Sequence, residues 1–81
     1  MPATPRRIAC VRLTTTVDPD ADARAALAGA LLTAAPRVVP VRGHPRAWWA
    51  DVTGMQGHGG DAGVAAALAR AAAGAGWQAH A

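Results

Sequence analysis

The chain has 81 residues, 52% of them hydrophobic and 16% charged; its basic residues are eight Arg with no Lys, its acidic residues are all Asp, and its net charge is +3. A single domain of this size buries only about 60–65% of its unfolded surface, so its stability margin is small. The lone Cys10 excludes an internal disulfide and any Cys-x-x-Cys metal site, and no apolar run approaches the roughly 20 residues of a membrane span.

After an N-terminal tail, residues 1 to 7, that lacks the apolar core of a signal peptide, Ile8 to Leu13 reads as a first strand. Asp18-Pro19 then opens a helix. Asp18 is placed to cap the free amides, Pro19 suits the first helical position, and Asp20 and Asp22 favour the positive end of the dipole. Leu27 and Leu31, with Ala30 and Ala34, form its apolar stripe, and Pro36 stops it. Val38, Val39 and Val41 make a second strand, in which Pro40 requires an edge position. The loop Arg42-Gly43-His44-Pro45 leads to a third strand, Ala47 to Thr53, whose alternation sends Trp48, Ala50 and Val52 to one face and Trp49 and Asp51 to the other. A glycine-rich turn follows, then a helix capped by Asp61 with Val64, Leu68 and Ala71 or Ala72 on one side. Gly74 and Gly76 end that helix, and Trp77 to His80 has room for a short last strand. Residues 8 to 81 are therefore one α+β domain of ferredoxin-like βαββαβ order, with a four-stranded antiparallel sheet and both helices on one face.

Several motifs in this order carry a resemblance. Asp18-Pro19-Asp20-Ala21-Asp22 opens the first helix, Pro36-Arg37-Val38 enters the second strand, Trp49-Ala50-Asp51-Val52-Thr53-Gly54 closes the third, and Gly59-Gly60-Asp61 turns into an Ala-, Leu- and Arg-rich helix. The set resembles the palm of Y-family (UmuC/DinB-type) translesion DNA polymerases, closest to the catalytically inactive ImuB-type members. In that family an Asp-Glu pair precedes the aromatic-x-Asp-x-Thr segment; here Trp49, Asp51, Thr53 and Gly54 match the segment, while Arg46 and Ala47 occupy the positions of the pair. The segment between Gly54 and Gly60 departs from the family pattern, being about one residue shorter and lacking a bulky apolar pair. The resemblance implies a palm-type mini-domain without fingers, thumb or little finger. The alternative is an incomplete palm, in which residues 8 to 13 correspond to a segment upstream of the true first strand.

An Arg and an Ala cannot clamp the divalent metals that phosphoryl transfer needs, and the first strand has no carboxylate. The resemblance therefore implies a non-enzymatic accessory module in DNA repair and damage tolerance, with no catalytic residues, no metal and no cofactor. With neither a signal-peptide core nor a membrane span in the sequence, a cytoplasmic location is the expectation. DNA, bound weakly through its backbone, and error-prone replication or repair proteins are the implied partners. Arg37, Arg42 and Arg46 lie around one hairpin and form a candidate DNA-contact rim. His58 with Asp61 three residues on is read as a solvated loop histidine. Gly57-His58-Gly59-Gly60 lacks the Gly-Lys-Ser/Thr ending of a phosphate loop. The competing readings are a small ferredoxin-like nucleic-acid or protein interaction module, against whose base-stacking form the absence of Phe and Tyr argues, since Trp49 alone could stack a base, and a truncated product with no independent function.

Overall fold

A computed structural model describes residues 7–55, 57 and 59–81. In chain order these form β1 (Ile8–Leu13), α1 (Ala21–Leu31), β2 (Arg37–Pro40), β3 (Ala47–Asp51), α2 (Gly60–Gly74) and β4 (Ala79–His80). The four strands lie in the order β2-β3-β1-β4, and each neighbouring pair is antiparallel. This is an α+β fold in the expected βαββαβ order. Pro40 sits on the edge strand β2, where its missing N–H disrupts no ladder.

The sheet has one packed face. Val11 and Leu13 of β1 and Trp48 and Ala50 of β3 join Leu27 and Leu31 of α1 and Val64, Leu68 and Ala72 of α2 in a single core. Trp48 is 2% exposed and is among the largest fully buried side chains, whereas Trp49 is 43% exposed. Opposite facing of two consecutive tryptophans is what strand alternation requires. Among the described residues no polar side chain is buried, so apolar area supplies the interior's stabilisation.

Both helix starts differ from expectation. The N-cap of α1 is Asp20, whose carboxylate accepts the Ala23 amide at 2.8 Å; Asp18 lies outside the helix and reaches Arg46 instead. Two aspartates flanking Pro19 each fit the cap pattern; because the helix begins at Ala21, Asp20 is the cap and its carboxylate reaches the third helical amide. Asp61 is likewise no cap. Gly59, at φ 91°, is the N-cap of α2 and makes no side-chain bond there, while Asp61 stands in the first turn, where the dipole favours it. The guanidinium of Arg7 pairs with that carboxylate.

The helix ends are set by backbone closure. α1 stops at Leu31, ahead of Pro36, and the chain leaves it through a turn in which Thr33, Ala34 and Ala35 bond back to Ala30 and Leu31. Gly76 stands at φ 91° with its N–H on the Ala73 carbonyl at 2.9 Å, and the Trp77 N–H reaches the Ala72 carbonyl at 3.0 Å. That pair of bonds is a Schellman closure, and it delivers Trp77 onto the core. β1 spans Ile8–Leu13 as expected, and the carbonyl of Arg7 just before it accepts the Val52 amide at 2.9 Å.

Candidate nucleic-acid interface

The sheet face away from the helices is built from the alternate residues of each strand. β1 contributes Ile8, Cys10 and Arg12, β3 contributes Trp49 and Asp51, β2 contributes Arg37 and Val39, and β4 contributes His80. Trp49 is at the centre. It stands opposite Cys10 on one side and Val39 on the other. Ile8 and Val39 are each 49% exposed, and with Trp49, Arg37 and Asp51 they line a shallow cleft of about 110 Å³. Ala47 shares the face by alternation but is buried.

The motif residues at the end of β3 shape a turn. The Asp51 carboxylate accepts the Thr53 amide at 3.0 Å, an Asx-type bond that turns the chain out of the strand. The Thr53 hydroxyl accepts the Arg7 amide at 2.8 Å, and the Met55 amide bonds to the Val52 carbonyl at 3.1 Å across Gly54. Asp51, Thr53 and Gly54 thereby fasten the start of β1 to the end of β3. Only Trp49, of the four motif residues, presents a large surface to solvent.

The three hairpin arginines are not brought together. Arg37 is opposite Asp51 at one end of β2, whereas Pro40 at the other end is opposite Trp48, so about three residues of strand, roughly 10 Å, separate Arg37 from the hairpin that carries Arg42 and Arg46. Arg42 is exposed on that hairpin. Arg46 has a different task. Its Nη1 donates to the Thr15 carbonyl at 2.8 Å and its Nε lies 3.1 Å from Asp18, which ties the β1–α1 connection, residues 14 to 20, onto the start of β3. A cleft of about 430 Å³ opens beside this tie, with Arg12, the threonines of the connection and His44 on its walls. Arg12 therefore lines this larger cleft while sharing the open sheet face with Trp49 by register. Its outward position follows from Val11 and Leu13 pointing inward, a signal the arginine spacing along the hairpin does not carry.

Among the described residues no group of three His, Cys, Asp or Glu side chains could hold a metal ion, and no described helix is long and apolar enough to cross a membrane. His58, and with it the pairing weighed against Asp61, lies outside the described residues. β1 is a central strand flanked by β3 and β4, the slot that the first strand of a βαββαβ sheet fills. Comparison of the chain with family models, with curated proteins and with solved structures returns no match.

Proposed function

We propose that this chain is a non-catalytic, DNA-associated module of palm type, similar to the inactive ImuB-type branch of the Y-family polymerases and acting in damage tolerance beside error-prone replication or repair proteins. The observation that carries the reading is the state of Arg46. By the resemblance it takes the position of an acidic residue of the polymerases, and its side-chain contacts to Thr15 and Asp18 bind it to the connection that in those enzymes carries the fingers. The neighbouring position of the acidic pair is Ala47, which is buried. The motif strand β3 is central, as a palm requires. Asp51, the carboxylate of the motif, supports a turn.

Phosphoryl transfer by this family depends on clustered carboxylates that hold metals against developing charge, a contribution of several kcal/mol. On this reading the sheet keeps the surface that faces nucleic acid and has lost the ligands. Primer extension with Mg²⁺ or Mn²⁺ tests it: the purified chain extends nothing. Extension that Asp51→Ala abolishes overturns the proposal. Arg46→Asp with Ala47→Glu does not restore activity either, since the first strand still lacks its carboxylate and the substitution releases the 14 to 20 connection.

A further inference from the structure

The open sheet face holds an exposed tryptophan that neither the core nor the motif turn uses. Trp49 is 43% exposed, with Ile8 and Val39 each 49% exposed beside it. By register Arg12 and Arg37 lie on the same face at opposite ends of this apolar centre, Arg12 toward Ala47 and Arg37 toward Asp51. We propose that this face binds single-stranded nucleic acid, with one base stacked on the Trp49 indole and the flanking phosphates met by Arg12 and Arg37. The inference deepens the DNA-associated reading above and rests on it.

Four considerations favour this occupant. An unpaired base offers a flat apolar surface of the same scale as one indole, and stacking on aromatic side chains is how sheet surfaces hold single strands without reading sequence. Two guanidinium groups bracket the indole along the strand direction, Arg12 at one end and Arg37, opposite Asp51, at the other, so a polyanion meets a cation at each end while its base meets the apolar middle. A protein partner needs about 800 Å² on each side of a stable interface, and three half-exposed apolar side chains ringed by Arg12, Arg37, Asp51 and His80 do not approach it. A duplex, its bases already stacked, does not fill the indole position. It could reach the arginines but could place nothing on Trp49.

The test is a fluorescence-anisotropy titration of labelled oligothymidylate, and of a duplex of the same length, with the full chain and with Trp49→Ala, Trp49→Leu and Trp49→Phe, each variant's fold being verified by circular dichroism. Stacking is worth about 1–3 kcal/mol per base, so the Ala and Leu variants bind the single strand about 5- to 150-fold more weakly. The Phe variant stays within a few-fold of the parent. Duplex affinity is the same in all four proteins. Bound oligothymidylate also slows alkylation of Cys10, which stands opposite Trp49. Parental affinity in Trp49→Leu, or Cys10 alkylated at an unchanged rate under saturating oligonucleotide, overturns the stacking site. Duplex and single strand bound equally and independently of Trp49 removes the site and leaves the DNA-associated reading intact; no binding to either removes both. Self-association of the chain that Trp49→Ala abolishes assigns the face to a second copy instead.

Discussion

Removing the indole of Trp48 should bring this domain close to unfolding, and removing that of Trp49 should not. A tryptophan buries about 150–250 Å², and at about 25 cal/mol per Å² this is roughly 4–6 kcal/mol of burial free energy. Trp48 is 2% exposed and touches a core assembled from β1, β3 and both helices, so little of the cavity left by alanine can collapse. Trp48→Ala therefore costs about 3–5 kcal/mol. Globular domains are stable by about 0.05–0.15 kcal/mol per residue, or roughly 4–12 kcal/mol for a chain of this length. Trp49 keeps 43% of its surface in water, and its packing consists of cross-strand contacts with Cys10 and Val39, each worth a few tenths to about 1 kcal/mol. Trp49→Ala then costs about 1 kcal/mol. Urea denaturation followed by far-UV circular dichroism measures both without relying on the fluorescence the substitutions alter. Losses of similar size from the two variants would refute the facing of β3 and with it the open binding face.

Three further outcomes follow from individual contacts. Asp20→Ala removes the α1 cap and lowers stability by about 0.5–2 kcal/mol, whereas Asp61→Ala, at a position that caps nothing, costs less; the same denaturation series ranks them, and the reverse ranking contradicts the helix starts. Gly76→Ala meets no atom within 4 Å, so its cost of about 1–2 kcal/mol is that of a β-carbon in the left-handed region alone, and an unchanged urea midpoint would contradict the Schellman closure. Arg46→Ala loses the tie to Thr15 and Asp18 and costs about 1 kcal/mol, since the pair is partly exposed. Amide exchange in residues 14 to 18 should quicken in that variant, and an unchanged exchange rate would leave the tie without structural effect.

The sheet was legible because its signals are redundant. Alternation in β3 fixed the facing of Trp48, Trp49 and Ala50, Pro40 demanded an edge, and Leu27, Leu31, Val64 and Leu68 marked the helix faces by spacing alone. Helix starts were less legible, because Asp18, Asp20 and Asp61 all satisfy the composition of a cap and differ only in which amide each can reach. The arginine rim was illegible for a related reason. Nearness along a hairpin does not mean nearness in space: β2 carries Arg37 to the end away from Arg42, and Arg46 is engaged by a segment that precedes it by some thirty positions in the chain. Arg12 joined the candidate face from a strand distant in sequence, which only the register could show.

The salt dependence of DNA binding tests the functional account most directly. Each phosphate contact contributes about −0.9 to the slope of log K against log salt on duplex DNA and about −0.7 on a single strand. Binding by this chain should be weak, independent of sequence and linear on those axes. Arg37→Ala and Arg42→Ala should each reduce the magnitude of the duplex slope by close to one unit, and Arg46→Ala by less, because Asp18 already engages its guanidinium. A slope unchanged when Arg37 and Arg42 are both removed, or no binding at low salt, would contradict a DNA-associated module.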